Sequence, residues 1–284
     1  MNPDKIRAVA VLRAVVISLA SILASGGAAL AQSPVVEQST TWGSLKGDVF
    51  GERPIVDAAG LVTIEAPQRA EDAAIVPVDL HFATTAQTGR IKAVTVIIDE
   101  NPSPVAAVFT FGKDAGVTHL ATRLRINAYS FVRAIAETED GTLHMTQTFV
   151  KASGGCSAPA LKNQDAALAE LGKMKLRVFA AKPASSAPMT RPAEVQLMIR
   201  HPNNSGLQMD QLTRYYIPAH FVRDLTISQG ARMIMTMEGG ISISEDPNFR
   251  FEFNATPGEE IRVEAADTDG KVFKDAWPLG PAAL

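Results

Sequence analysis

The strongest constraint on the fold of this chain is an alternation of apolar and polar residues with a period of two. A strand with one face on a core and the other in water produces this pattern, because successive side chains point to opposite faces. The run at 93–98 is apolar on both faces, which predicts a central strand. The alternating runs lie at 76–82, 120–126, 249–253 and 261–264.

Turn residues separate these runs. The sequences at 139–141 (Glu-Asp-Gly) and 267–270 (Asp-Thr-Asp-Gly) predict hairpin turns in which glycine supplies a positive φ. Asn101-Pro102 and Asp246-Pro247 are typical of turn starts. Short strands with turns at intervals of roughly ten residues are typical of β-sandwiches. Because 284 residues are long for one domain and sufficient for two, we predict an all-β protein with two sandwich domains.

The middle of the chain departs from the pattern. Ser157 to Met174 is rich in alanine and has apolar residues at helical spacing, which predicts one helix of about three turns. Ala180 to Pro192 is rich in proline and serine and predicts a loop or linker. The segment from about 152 to 192 is therefore expected to join two β-rich halves.

The N-terminus has the order of a secretory signal peptide. Basic residues at 5, 7 and 13 precede the apolar run Ala14–Leu23, and the small residues Ala29 and Ala31 follow. We predict cleavage after Ala31 and, in a bacterial cell, a periplasmic mature protein. The alternative is a membrane anchor, although the apolar run is short for a spanning helix and no later run is longer.

The charge of the chain gives no indication of a nucleic-acid partner. The formal net charge is −3, and the charges are scattered. Arg123 and Arg125 form the largest basic cluster, and their place in an alternating run predicts a solvated strand face. We expect no membrane contact after removal of the signal peptide.

Cys156 is the only cysteine, and it is the residue most expected to carry chemistry. A single cysteine in an oxidising compartment cannot form an intrachain disulfide, so it pairs between chains or stays a reactive thiol. Gly154 and Gly155 precede it, and Ser157 follows, which predicts an exposed, flexible attachment point whose pKa is near the usual value of about 8.5. No general base is fixed beside it, so a catalytic nucleophile is not predicted. The alternative is an incidental free thiol in a linker.

The first half resembles the SoxY subunit of the bacterial thiosulfate-oxidising carrier. The resemblance lies in five short stretches of sequence between residues 65 and 156. They are Glu65–Pro67, Ala70–Ala73, Val76-Pro77, Ile98–Pro102 and Gly154–Cys156.

The second half resembles the SoxZ subunit of the same carrier. Its matching stretches are His201-Pro202, Ser205-Gly206, Ile217–Phe221, Ile243–Phe253 and Asp267–Gly270 before Trp277. Together the two resemblances cover nearly all of the predicted mature chain. They set the expected boundaries at 1–31 (signal peptide), 32–152 (SoxY-like), 153–173 (cysteine arm and short helix) and 174–284 (SoxZ-like).

The resemblance implies two immunoglobulin-like sandwiches packed together and a carrier without catalytic turnover or cofactor. It implies that Cys156 holds a covalent sulfur adduct, as a persulfide or thiosulfonate, with Gly154 and Gly155 giving reach. The implied partners are periplasmic redox enzymes, and a disulfide dimer through Cys156 is a further possibility. The carrier subunits are normally separate chains, with the cysteine near a free C-terminus; here they are fused, and Cys156 is tethered on both sides. This arrangement is similar to SoxYZ-like carriers associated with quinoprotein (PQQ-dependent) dehydrogenases and their cytochromes.

Two alternatives come from other functional classes. One is a non-covalent assembly module for a periplasmic quinoprotein dehydrogenase, in which Cys156 is incidental. The other is a Cu(I)-handling protein that uses Met233, Met235 and Met237, which would share one strand face. We favour core packing for these methionines, because no cysteine or histidine completes a site.

The remaining polar residues predict no metal centre. The five histidines have no metal-ligand spacing, and His220 is expected to be a turn residue bonded to backbone, with a place facing the cysteine arm as the alternative. Asp267 and Asp269 resemble the start of a calcium loop, but the later ligands are missing, so a hairpin turn is predicted.

Overall fold

The computed structural model describes residues 39–83, 89–159, 164–179 and 191–279; the predicted signal peptide at 1–31 lies outside them. The described residues belong to one compact unit. No helix in the described ranges is long and apolar enough to cross a membrane. The first half contains α1 (Thr40–Phe50), β1 (Ile55–Asp57), β2 (Val62–Glu65), β3 (Val76–Phe82), β4 (Ile91–Ile98), β5 (Val105–Phe111), β6 (His119–Leu124), β7 (Ser130–Thr138) and β8 (Leu143–Val150).

The second half begins after the cysteine segment and is also built mainly of strands. Its elements are α2 (Gln164–Ala169), β9 (Met174–Phe179), β10 (Arg191–Ile199), β11 (Val222–Gln229), β12 (Arg232–Gly239), β13 (Asn248–Ala255), β14 (Glu260–Asp267) and β15 (Val272–Pro278).

Two sheets form the molecule, and each runs through both halves of the chain. The larger has the order β1-β8-β7-β4-β5-β12-β11-β14-β15, and the smaller has the order β2-β3-β6-β13-β10-β9. The first half therefore supplies five strands to the larger sheet and three to the smaller one. The second half supplies four strands to the larger sheet and three to the smaller one. Two facing sheets of this size in each half are typical of immunoglobulin-like sandwiches. The predicted all-β fold of two such sandwiches is confirmed.

The halves join edge to edge. In the larger sheet β5 pairs with β12, and Phe109 lies opposite Met237. In the smaller sheet β6 pairs with β13, and Leu120 lies opposite Phe251. The rings of Phe109 and Phe249 meet between the sheets at a centroid distance of 6.2 Å, so one apolar core continues across the junction.

The alternating runs give the strands that they predict. β3 buries every second residue, and β13 does the same. β4, which contains the doubly apolar run at 93–98, lies between β5 and β7 as a central strand. Both predicted hairpin turns are present, with Gly141 and Gly270 at φ values of 86° and 80°.

The predicted helix and the last two residues of the predicted linker differ from the structure, and one helix was not predicted. The helix predicted over 157–174 is shorter in the described residues, where α2 spans Gln164–Ala169 and Met174 already starts β9. Pro159 disfavours helical backbone at the residue before it. Pro192 lies in β10 near its first residue, where a strand tolerates proline, while 180–190 of the predicted linker lie outside the described residues. The helix α1 was not predicted; Trp42 and Leu45 pack against a small apolar cluster on the outer side of the larger sheet.

Candidate functional site at the junction of the two halves

The segment that carries Cys156 is a tight loop fixed on the first half. After β8, the N–H of Gly154 donates to the carbonyl of Asn127 at 2.8 Å, and the N–H of Gly155 donates to that of Ile126 at 3.0 Å. A Cβ on Gly155 would lie 2.0 Å from the carbonyl oxygen of Ala73, so only glycine fits there. Gly154 has a φ of 79°, which also favours glycine. Their predicted role as a flexible arm stays a prediction.

The second half closes over the same loop. The hydroxyl of Ser205 donates a short hydrogen bond to the carbonyl of Cys156. The side chain of Gln208 donates to the carbonyl of Ala158 at 3.0 Å and accepts from the N–H of Ser205 at 3.0 Å. We call these two side chains the latch, because they connect the second half to the loop that carries the thiol.

Cys156 is buried, and the prediction of an exposed thiol is wrong for this conformation. Its exposed fraction is 0 %. Burial raises the pKa of the thiol to about 11, and the nearby Arg125 cation only partly opposes this increase. The prediction fails because the burial comes from tertiary contacts. Residues from both halves cover the loop, whereas its composition alone indicates exposure. In this conformation the group is a protonated thiol at neutral pH.

Arg125 lies beside this loop and is also buried, so the prediction of a solvated face is wrong for it. Its guanidinium donates to the carbonyls of Gly155 at 3.4 Å and Asn203 at 3.2 Å. Within the described residues its Nε has no hydrogen-bond partner. Desolvation lowers the pKa of Arg125, and the charges of Cys156, Glu245 and Asp72 act in the opposite direction. Because β6 ends at Leu124, Arg125 leaves the alternating pattern and lies at the junction.

A second polar cluster lies in the second half. The Nε2 atom of His220 is 2.8 Å from Oδ2 of Asp267, and the Nε2 atom of His201 is 3.5 Å from the same oxygen. His220 therefore bonds a carboxylate as well as backbone: its N–H and carbonyl pair with those of Asn204. The sequence did not reveal this cluster, because its members lie on separate loops and turns brought together by the fold.

The histidine cluster has the composition of a metal site, but its hydrogen bonds favour a different role. The three side chains could offer ligand atoms within 4.8 Å of one another. However, the N–H of Asn203 donates to Nδ1 of His201 at 3.1 Å, which places the proton of the neutral ring on Nε2. Nε2 then offers no lone pair to a metal. Burial, followed by the charge of His220, lowers the pKa of His201 to about 4, so this ring is neutral near pH 7.

The cluster positions a loop that reaches the thiol. Asn203, held by His201, offers its carbonyl to Arg125, and Asn204 is paired with His220. Burial alone would raise the pKa of Asp267, but bonds from His220 and the N–H of Lys271 lower it overall. The prediction of a hairpin turn at Asp267 is confirmed, since its Oδ1 accepts from the backbone of Asp269 and Lys271.

The methionine strand belongs to the core. Met235 and Met237 are buried in the main apolar cluster. The pairing of β11 with β12 shifts by one residue next to Ile227, so Ile234 and Met235 are both buried although they are adjacent. Met233 is therefore only partly buried, and the three methionines do not share a face. The predicted core packing is confirmed for Met235 and Met237.

The fold and this junction define a protein of two joined sandwiches that hold one thiol between them. Residues 46–156 match the family of sulfur oxidation protein SoxY, and residues 181–278 match that of sulphur oxidation protein SoxZ. The chain therefore belongs to the SoxY and SoxZ families, fused in one polypeptide. These domains place it among sulfur-oxidation proteins that are carriers or complex components rather than catalysts.

Comparisons with individual proteins add little. No curated protein matches the chain significantly. Among solved structures, it is similar to a crystal structure of a β-glycosidase from Bacteroides vulgatus, with 8 % identity and a TM-score of 0.23. That similarity covers 80 % of this chain but only 25 % of the glycosidase. With so low a score it supports no conclusion about this protein.

Proposed function

We propose that this protein is a periplasmic carrier that holds a sulfur adduct covalently on Cys156 and has no turnover of its own. One observation carries the proposal: the only cysteine is the last residue of the SoxY match and lies where the second half closes over the first. We assign the sulfur chemistry of the family to one atom, Sγ of Cys156. The periplasmic location follows from the predicted signal peptide.

Loading requires the thiol loop to leave its docked position. A buried protonated thiol is a poor nucleophile, since the thiolate is the reactive form. Hydrogen bonds from Arg125, Ser205 and Gln208 to loop carbonyls hold the loop, together with the backbone bonds of Gly154 and Gly155 to the first half. Each neutral bond contributes about 1 kcal/mol. Such a loop can open locally while the sandwiches stay folded. Once open, the Cys156 thiolate attacks the outer sulfur of a donor persulfide; the S–S bond breaks, the donor leaves as a thiolate, and no external oxidant is required.

We infer that partner enzymes act on the open loop. The candidates are Sox-type redox proteins or, given the fusion of the two subunits, a quinoprotein dehydrogenase and its cytochrome. Because Cys156 is tethered on both sides, a partner has to approach the junction itself. A disulfide dimer through Cys156 requires both loops to be open at once.

A second candidate is the non-covalent assembly module. The burial of Cys156 and its pKa of about 11 favour this alternative, because a thiol that never opens carries no cargo. The two functions differ in the effect of Cys156→Ser. The substitution abolishes a carrier and leaves an assembly module active.

Intact mass spectrometry of protein purified from its own periplasm, without and with reductant, tests the proposal. We expect a reducible mass increase of one or more sulfur atoms on Cys156, and an N-terminus at Gln32. A free thiol alone, in protein isolated while its pathway is active, would contradict the carrier function and favour the assembly module. An N-terminus that retains 1–31 would contradict the proposed export.

A further inference from the structure

Arg125 is a buried cation whose hydrogen bonds go to neutral groups. It is 1 % exposed and is among the largest fully buried side chains. Within the described residues its two hydrogen-bond acceptors are the backbone carbonyls of Gly155 and Asn203, and both distances are long. Guanidinium groups stay charged in proteins, so this charge is held in a poorly solvating place.

The guanidinium also has unused bonding capacity. Its Nε–H is buried and has no acceptor among the described residues. A buried donor without a partner is unfavourable, and a buried charge is far more so unless an anion lies near it. The carboxylates of Glu245 and Asp72 act on this charge from nearby, but they leave the Nε–H of Arg125 without an acceptor among the described residues, and so does the docked thiol.

Cys156 is the group placed to supply this anion. Arg125 bonds the carbonyl of the preceding residue, and the cation and a thiolate at Cys156 would each stabilise the other. The free thiol is neutral when docked, so the negative charges that act on Arg125 within the described residues are those of Glu245 and Asp72. A persulfide is more acidic than a thiol, and a thiosulfonate is anionic throughout the physiological range. An adduct of either kind adds a negative charge at Cys156 to those of Glu245 and Asp72.

We propose that Arg125 makes the docked site selective for an anionic sulfur adduct on Cys156, so that the loaded loop docks more tightly than the free thiol or a neutral adduct. This inference rests on the proposed carrier function and names its cargo as an anion. Charge-assisted hydrogen bonds are stronger than neutral ones, and an anion beside a buried guanidinium offsets its desolvation. Arg125 is then a specificity-determining residue of the carrier.

Two reagents give matched adducts. Tetrathionate and the Cys156 thiolate form the anionic S-thiosulfonate and release thiosulfate, as one S–S bond breaks and one forms. Methyl methanethiosulfonate and the same thiolate form a neutral methyl disulfide and release methanesulfinate. Both adducts contain a disulfide that a phosphine cleaves, and intact mass verifies complete loading.

The experiment measures the rate at which excess phosphine releases each adduct from the folded, full-length protein. The same rates in urea correct for the intrinsic reactivity of each adduct. We expect the fold to protect the anionic adduct roughly tenfold or more better than the neutral one. Arg125→Gln should remove this difference, and Arg125→Lys should retain part of it. Arg123→Gln, a change at the neighbouring arginine bonded to the carbonyl of Asp246, should leave it intact.

Equal protection of the two adducts in the unmodified protein would overturn the role of Arg125, and this result does not depend on whether a variant folds. Retention of the full difference in a folded Arg125→Gln protein would overturn it as well. Neither result bears on the carrier function, which depends on the adduct found on the protein from its own periplasm.

Discussion

The two halves of the molecule meet in two places that differ in kind. At the sheet junction, β5 pairs with β12 and β6 with β13 through continuous backbone hydrogen bonds, above a shared apolar core. At the thiol loop, the second half contributes the two latch side chains, Ser205 and Gln208. Backbone pairing over a core breaks only with unfolding, whereas a few side-chain bonds at a surface loop can break alone. The difference indicates a permanent frame that carries one element able to open.

The largest effect is expected from the sheet junction. Phe109→Ala should reduce the free energy of unfolding by about 3–5 kcal/mol, because a buried ring at the junction is replaced by a cavity. Urea denaturation followed by tryptophan fluorescence measures this. Val56→Ala, at an exposed apolar residue of β1, is the control and should change stability by about 0.5 kcal/mol or less. Similar losses in the two variants would contradict a core shared across the junction.

Gly155→Ala should act on the loop while the frame stays folded. The added Cβ would meet the carbonyl of Ala73, and such overpacking costs about 1–3 kcal/mol. This cost lowers the stability of the docked loop relative to the open loop. The rate at which Cys156 reacts with DTNB should therefore increase roughly tenfold or more. Gly43→Ala, at a helical glycine with open space around it, should leave the rate unchanged. An unchanged rate in Gly155→Ala would show that docking does not limit access to the thiol.

The latch should have a smaller effect. Gln208→Ala removes the hydrogen bond from this side chain to the loop, at the carbonyl of Ala158, together with its bond to the N–H of Ser205. The bond to the loop is worth about 1 kcal/mol, so the DTNB rate should rise roughly fivefold or more. Gln211→Ala is the matched control, because Gln211 bonds within its own exposed loop. If both variants labelled at the rate of the unmodified protein, Gln208 would have no part in holding the thiol loop.

The last prediction concerns pH. The folded pKa of Cys156, about 11, lies above the unfolded value of about 8.5, so the folded state binds more protons in that interval. The contribution of the protonated thiol to stability is complete below the unfolded pKa and is lost as pH rises through the folded pKa. The unmodified protein should therefore lose stability faster than Cys156→Ser between about pH 8.5 and 10.5. Parallel curves from urea denaturation would contradict a buried thiol.

The sequence predicts the strands well and the contacts between distant elements poorly. Alternation identifies β3 and β13 because one face of each lies on a core. It contains no information on which edges pair, so the joining of β5 to β12 was not predicted. Edge pairing depends on the surfaces of two elements more than one hundred residues apart along the chain.

The site was predicted in part. Cys156 is predicted as the functional residue because it is the only cysteine and follows two glycines. Its burial is not predicted, because the residues next to it in the sequence are polar, whereas the residues that cover it come from distant parts of the chain. The sequence predicts a solvated face for Arg125, since the alternating run continues to Ile126, two residues past the end of β6. The cluster of His201, His220 and Asp267 has no local spacing that could reveal it.

The edge-to-edge junction also has a consequence for assembly. Separated halves would each expose two open strands with apolar flanks, β5 and β6 on one and β12 and β13 on the other. Unpaired edges of this kind are templates for aggregation. In a single chain the missing edge is always present at a high effective concentration, so completion of the sheets does not depend on how much protein the cell makes.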